Sequence, residues 1–318
     1  MTAHDRRQAM PGLAFIDTHH HFQDVTRFSY PWLMDRTRPP PLEGDLEPIR
    51  RSYLPPDHEQ DLAGAKLIQS VHVENGWDRR DPVGETRWLQ SLRPSAPHLA
   101  AIVAYADLAA PDVEAVLDAH GAASPLLRGI RQSLNWHDTA SLRSCASPDL
   151  MEDAAWRRGF GLLQARSLSF DLQIYWPQMA MAARLAADFP DTTIILDHMG
   201  MPIDRSADGV RSWQSALRAL ARAPNVHVKL SGFGLGAPHW TVTDLLPLLD
   251  RVLQTFGPAR CMVGTNLPVD RLFATGFAIR GAIAAAVTPL TESEREAVLV
   301  DTAKSVYRIE NTAPLVRT

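Results

Sequence analysis

Short apolar segments alternate along the chain with segments whose apolar residues recur at the 3.6-residue spacing of a helix. Several of the short segments, such as 194–196, are apolar on both faces, as in strands of a parallel sheet that is covered on both sides. They predict eight strands: Leu13–Thr18, Leu67–Val73, Ala100–Tyr105, Leu127–Arg131, Leu168–Ile174, Thr192–Asp197, Val226–Leu230 and Arg260–Val263.

Helical spacing between these strands predicts the connecting elements, namely helices over 112–120, Gln178–Phe189, Val210–Arg222, Thr243–Phe256 and Thr291–Tyr307. Thr291 and Glu294 can form a capping box at the start of the last helix. Eight strands with interleaved helices in 318 residues favour an α/β fold with one (β/α)8 TIM barrel domain over 1–318. The alternative is a doubly wound open sheet, but no Gly-x-Gly-x-x-Gly turn follows the first strand.

The segment Tyr30–Gln60 departs from this alternation because it is rich in proline and cannot form a long helix. A loop of this length after the first strand of a barrel would lie over the mouth at the carboxyl ends of the strands. We therefore predict a semi-rigid lid with Tyr30 and Trp32 facing the site, the alternative being a surface loop without function.

Composition and charge narrow the classes of partner. Lys and Arg number 32 against 36 Asp and Glu, a net charge of −4 without long runs of one sign, which argues against nucleic acid or an anionic membrane as partner. No stretch reaches the length of a membrane span. Two cysteines and a polar N-terminal segment lead us to expect a cytoplasmic protein in a reducing compartment.

The strongest chemical signal is Asp17-Thr18-His19-His20-His21 at the end of the first predicted strand. Side chains two residues apart on a strand share a face, so His19 and His21 converge while His20 points elsewhere. Two neutral imidazoles are costly to bury side by side unless they share a partner. That partner is a metal ion, a carboxylate or a substrate anion.

The chain resembles the amidohydrolase superfamily, and within it the amidohydrolase-2 branch of TIM-barrel hydrolases, which includes lactonases. The resemblance rests on motifs that occur in the family's order: Asp17–His21, Val71–Trp77, Gly129–Gln132, Phe170–Tyr175, Leu196–Pro202, Val228–Ser231 and Gly264–Pro268. It implies a His-x-His pair at strand one, His19 and His21, and a strand-six histidine, His198. In members that use a metal, the pair would hold one divalent ion, zinc or manganese.

Two departures bear on that metal site. Metal-using members carry a histidine at the end of strand five, where this chain has 174–176 without one, and an aspartate at strand eight, where this chain has Asn266. A neutral amide cannot act as a general base and is a poorer ligand for a divalent cation. A branch similar to 2-pyrone-4,6-dicarboxylate lactonase works without metal and has a strand-five tyrosine that Tyr175 matches, so metal-dependent and metal-independent chemistry both remain open.

Other side chains near strand ends complete the predicted site. Asp270 and Glu74 are the carboxylates that could activate water in place of an aspartate, and the planar guanidinium of Arg131 suits a substrate carboxylate. The remaining candidates for binding are His72, Trp77, Asn135, Tyr175 and Asn266. For His72 and Glu74 the alternative is a supporting role, whereas Asp197 is expected to face away from the barrel interior and Lys229 to be structural.

These features predict a hydrolase, a lactonase that opens a small carboxylated lactone with water while His19, His21 and His198 polarise the carbonyl. A lactone isomerase or a decarboxylase on the same scaffold is the alternative among enzymes. A binding protein without catalysis is the alternative outside them.

Overall fold

The strands of the chain close into a barrel in the computed structural model, which describes residues 12–37 and 41–310. Eight parallel strands follow one another in sequence order. They are β1 (Ala14–His20), β2 (Lys66–Val73), β3 (Leu99–Tyr105), β4 (Leu127–Arg131), β5 (Ser169–Leu172), β6 (Ile194–Leu196), β7 (Val226–Leu230) and β8 (Cys261–Val263). Between β8 and β1, the Thr18 hydroxyl donates to the Val263 carbonyl at 2.7 Å, which helps to close the ring. The predicted (β/α)8 architecture is confirmed.

Helices alternate with the strands and cover the outside of the barrel. They are α1 (Pro31–Met34), α2 (Pro55–Asp61), α3 (Gly84–Leu92), α4 (Val113–Ala123), α5 (Ala154–Ala165), α6 (Met179–Asp188), α7 (Ala207–Leu220), α8 (Val242–Phe256), α9 (Gly276–Val287), α10 (Glu292–Glu296) and α11 (Thr302–Tyr307). A π-helical turn, Ala297–Asp301, joins α10 to α11, so the predicted last helix is present with one irregular turn. The predicted capping box forms: the Glu294 amide donates to the Thr291 hydroxyl at 3.3 Å, and the Thr291 amide donates to the Glu294 carboxylate at 2.9 Å.

Burial explains why these segments form strands. Every residue of β5, β6 and β8 is buried, because one face packs under the helices and the other fills the barrel interior. Among the described residues, no helix combines the length and apolar character that crossing a membrane would require.

Candidate active site

A pocket of about 740 Å³ opens at the carboxyl ends of the strands. Its floor and walls come from residues that end or follow the strands: His21, Glu74, Arg131, Gln173, Tyr175, His198 and Asn266. Its outer wall comes from the segment between β1 and α2, including Trp32, Leu42 and Glu43. In TIM barrels this end of the strands carries the chemistry, so the pocket is the candidate active site.

The rings of three histidines lie side by side at the base of the pocket. The ring centroid of His19 lies 5.1 Å from that of His21 and 4.4 Å from that of His198. His21 and His198 line the pocket, whereas His19 is fully buried and is not part of its lining. Burial lowers the pKa of His19 and His21 well below the usual range and that of His198 to about 4. The three rings are therefore neutral near pH 7.

Hydrogen bonds determine which ring nitrogen donates and which accepts in each of the two histidines that line the pocket, His21 and His198. The Nδ1–H of His21 donates to the Val73 carbonyl at 2.7 Å, since a carbonyl can only accept. Its Nε2 therefore keeps its lone pair and lies 3.4 Å from the side-chain oxygen of Asn266, which is itself an acceptor. His198 Nδ1 lies 2.9 Å from the Ser231 hydroxyl, which can donate to it and leave Nε2–H as a donor. His21 can thus accept a hydrogen bond and His198 can donate one.

The backbone around His198 is held in an unusual conformation. His198, Met199 and Met201 have φ angles of 51°, 58° and 48°, in the left-handed region that costs about 1–2 kcal/mol for a residue with a Cβ. The chain leaves β geometry after Leu196, so the alternation of strand side chains no longer applies. A Cβ on Gly232 would lie 2.6 Å from His198 Nδ1, so only glycine fits beside the ring. Strain of this kind is characteristic of functional sites.

The expectation for Asp197 is wrong, because Asp197 lies two residues after Ile195, which pairs with Asp171 of β5, and so shares the inward face of that strand pair. Its carboxylate does not face away from the interior but lies 3.3 Å from His19 Nδ1 and 3.2 Å from the Lys229 ammonium. Lys229 also donates to Asp171, and both acids are fully buried. We call Asp171, Asp197 and Lys229 the buried charge cluster. Burial alone would raise the pKa of Asp197, but Lys229 and His19 lower it well below the usual range.

Arg131 and Glu74 form a buried ion pair with each other. Arg131 donates from Nε to the Glu74 carboxylate at 3.0 Å and from Nη2 to the Glu74 carbonyl, while Nη1 donates to Gln173 at 2.8 Å. Burial raises the pKa of Glu74, but the charges of Arg131 and Arg79 and the hydrogen bond from the Gly76 amide together lower it by more, so the net direction is down. All three guanidinium nitrogens have protein partners, which differs from the expected open grip on a substrate carboxylate.

Besides His19, three predicted residues lie outside the pocket lining: Asp270, His72 and Trp77. Asp270 is fully buried and accepts from the Phe233 and Gly234 amides at 3.1 and 3.4 Å, and burial raises its pKa to about 7. It anchors the loop after β7 instead of reaching into the mouth.

His72 and Trp77 are supporting residues in this arrangement. His72 Nδ1 accepts from the Phe22 amide at 3.1 Å, so its Nε2–H donates to Glu85 at 3.2 Å. Trp77 packs between aromatic rings, 4.5 Å from Phe28 and 6.0 Å from Trp88. Neither side chain has a face open to the pocket because each is enclosed by these partners.

The other predicted binding residues line the pocket. The Tyr175 hydroxyl donates to the Leu142 carbonyl at 2.9 Å, and the Asn135 amide oxygen accepts from Gln173 at 3.2 Å. Trp32 also lines it and donates to the Asn75 carbonyl at 2.7 Å. Tyr30, by contrast, is buried beneath the segment and its hydroxyl accepts from the Asp24 amide, so only Trp32 of the predicted pair faces the pocket.

Sequence reasoning missed several lining residues: Glu43, Arg79, Arg143, Gln173 and Met201. Gln173 could have been found, since it lies two residues after Asp171 and follows the same strand. The others lie in loops, where no periodic pattern places a side chain.

One member of the expected metal pair, His19, belongs to a group of three possible metal ligands. Among the described residues, His19, Asp197 and His198 each offer a ligand atom, and these atoms lie within 4.8 Å of one another. His21 is outside this group, with Nδ1 bonded to Val73 and Nε2 beside Asn266. Neither carboxylate oxygen of Asp197 accepts a hydrogen bond within the described part of the chain. Two imidazoles and a carboxylate fit the donor preferences of zinc, and the Lys229 ammonium, 3.2 Å from both His19 Nδ1 and the Asp197 carboxylate, would compete with a metal ion for them.

Comparison with known proteins agrees with the geometry. The Amidohydro_2 model, described as amidohydrolase, matches residues 16–309. An uncharacterised protein, y4mH, of Sinorhizobium fredii is 39% identical over 94% of this chain and 100% of its own length. An L-fucono-1,5-lactonase of Burkholderia multivorans is 30% identical over 95% of this chain and 98% of its own.

A solved structure extends the comparison. A zinc-bound amidohydrolase from Burkholderia multivorans superposes with a TM-score of 0.77 at 28% identity, covering 93% of this chain and 100% of that one. The family match and the lactonase relative support a hydrolase enzyme. This chain belongs to the Amidohydro_2 family of amidohydrolases.

Proposed function

We propose that the protein is a cytoplasmic lactonase, one barrel domain over 1–318, that opens a small carboxylated lactone by attack of water on the ring ester carbonyl. The observation that carries the proposal is the pair of neutral imidazoles with opposite roles, His21 and His198, facing one pocket. The lactonase relative supports the same reaction class.

His198 and His21 have different roles in the proposed reaction. His198 Nε2–H donates to the carbonyl oxygen and stabilises the negative charge that develops there. His21 Nε2 accepts a hydrogen bond from the attacking water and orients it. His19 touches neither, since it is fully buried; it supports His198 from beneath. The water oxygen bonds to the carbonyl carbon, the ring C–O bond breaks, and the ring oxygen leaves as a hydroxyl.

The substrate carboxylate needs a cation that the protein has not already paired. Arg79 and Arg143 line the pocket and form no ion pair with a carboxylate in the part of the chain described. Their guanidinium carbons stack over Tyr105 at 3.4 Å and Trp136 at 4.1 Å, which orients the planar groups. We assign carboxylate recognition to these two arginines, with the charge of Arg131 beside them.

Labelled water tests the reaction class. L-fucono-1,5-lactone and 2-pyrone-4,6-dicarboxylate are incubated with the protein in H2¹⁸O, and the products are analysed by mass spectrometry. We expect one ring-opened acid with a single ¹⁸O in the new carboxyl group, because acyl attack places solvent oxygen there. The dicarboxylate is expected to be the better substrate. A product without label, as from an isomerase or a decarboxylase, or turnover of neither lactone would contradict the proposal.

A divalent ion, if bound, would be held by His19, Asp197 and His198, and it would supply Lewis-acid activation at the carbonyl in place of the His198 N–H, since a ligating ring nitrogen carries no proton. We expect chelator-treated protein to bind one Zn²⁺ in a calorimetric titration. Asp197→Asn should weaken binding by about tenfold or more, since an amide is a poor zinc ligand. Asp204→Asn is the matched control, because Asp204 is exposed and accepts a hydrogen bond from the Ser206 amide of its own turn. Equal affinity in both variants, or no saturable binding by the parent, would contradict the assignment.

A further inference from the structure

One small apolar cluster holds the loop between β1 and α2 over the pocket. Tyr175, Met201 and Leu235, which follow β5, β6 and β7, form a buried group of their own, and Leu42 packs against it. Leu42 lies in the middle of the proline-rich segment, so this contact fixes the loop at the mouth of the barrel. The next residue along the chain is Glu43.

Glu43 is a half-buried carboxylate that lines the same pocket as His21, His198 and Asn266. It forms no ion pair with any described residue. Its charge is close enough to act on Tyr175 after β5 and on Asp270 after β8. A partly buried acidic group without a cation as partner costs free energy unless a ligand uses it.

The other acidic groups near the pocket are already engaged. Glu74 is bonded to Arg131 and to the Gly76 amide at 2.9 Å. Asp270 is outside the lining. Asp35 and Asp45 accept hydrogen bonds from Thr37 and Glu47 in the exposed turns of their own loop. Asn266 stands where the family resemblance implies an aspartate, and an amide cannot take a proton from water.

We propose that Glu43 is the general base of the reaction, supplied by the loop in place of the strand-eight aspartate that Asn266 replaces. This inference rests on the proposed lactonase function. The Glu43 carboxylate removes a proton from the water that His21 orients, as the water oxygen bonds to the carbonyl carbon. The same proton then passes from Glu43 to the ring oxygen as the C–O bond breaks, so the carboxylate is regenerated.

Its surroundings suit this role. Burial raises the pKa of Glu43 above the ordinary value, toward the pH at which a base is most effective. The titratable and charged groups that share its pocket or act on it are His21, His198, Tyr175, Asp270, Glu74, Asp35, Asp45, Arg36, Arg50, Arg79, Arg131 and Arg143. Of the carboxylates among them, Glu43 alone combines partial burial with the absence of a described side-chain or backbone partner from another residue.

The first experiment compares Glu43→Gln with the wild type on 2-pyrone-4,6-dicarboxylate and L-fucono-1,5-lactone. We expect kcat to fall by about 10²-fold or more while KM changes by less than about threefold, since the amide keeps the shape but cannot accept the proton. Glu59→Gln is the matched control, because Glu59 is exposed on α2. Thermal unfolding of both variants establishes that they are folded.

The second experiment separates catalysis from loop positioning. Glu43→Ala is assayed with added sodium formate, which can occupy the vacated space and act as an external base. We expect formate to raise kcat of Glu43→Ala by at least about tenfold, and to leave the wild type and Glu59→Gln unchanged.

Two results would overturn the inference: unchanged kcat in Glu43→Gln, or a loss that formate does not restore and that appears mainly in KM. If the wild type hydrolyses neither lactone, the proposed function fails and the inference with it. If the wild type hydrolyses them and Glu43→Gln equals it, only the role of Glu43 fails.

Discussion

Replacing His21 and His198 together by alanine is expected to lower kcat/KM on the better lactone by more than about 10³-fold, because loss of one oxyanion donor alone costs about 10²–10³. His198 donates its N–H to the carbonyl oxygen, whereas His21 accepts a hydrogen bond from the water. Neither histidine can therefore take over the role of the other. Steady-state kinetics of the double variant and of each single variant measure the effect.

The matched control for this pair is His239→Ala, which removes an exposed imidazole from the loop after β7. We expect it to keep the wild-type rate. The two single variants should differ in kind: His198→Ala loses transition-state stabilisation, whereas His21→Ala loses the orientation of water. A double variant within tenfold of the wild type would show that the imidazoles are not part of the reaction.

The barrel could be predicted from the sequence because its strands are buried on both faces. β4 and β7 have the bounds that the apolar pattern predicts, Leu127–Arg131 and Val226–Leu230. The predicted ends of the fifth and sixth strands were too long, since the chain turns away after Leu172 and Leu196. Strand ends in this fold are where the backbone leaves its regular pattern to form the site.

The site could be predicted only where a side chain stands at a strand end. His19, His21, Arg131 and Asn266 converge because parallel strands end at one rim. The approach of both Asp197 and His198 to His19 could not be predicted, because two consecutive residues reach the same side only through the left-handed φ angles that begin at His198. The position of Glu43 depends on the packing of its neighbour in the loop, a tertiary contact that has no periodic signal in the sequence.

The buried charge cluster makes Lys229→Met the substitution with the largest expected effect on stability. Lys229 is fully buried between Asp171 and Asp197, and the Tyr307 hydroxyl donates to Asp171 at 3.1 Å. Removing the ammonium leaves two carboxylates facing each other, with the more distant Arg131 guanidinium 3.9 Å from Asp197. We expect the free energy of unfolding to fall by about 3–5 kcal/mol, as when one partner of a buried ion pair is removed. Urea denaturation followed by circular dichroism measures it.

The double variant Lys229→Met with Asp171→Asn decides whether charge or volume causes that loss. An amide in place of Asp171 removes one of the two unpaired charges, so we expect it to recover part of the lost stability, which a simple packing defect would not allow. Lys66→Met, at the exposed start of β2, is the control and should change stability little. Additive losses in the double variant would mean that Lys229 serves packing. Recovery would mean that Lys229 stabilises the protein through its charge. That charge keeps Asp197 next to His19, whose ring packs against the ring of His198.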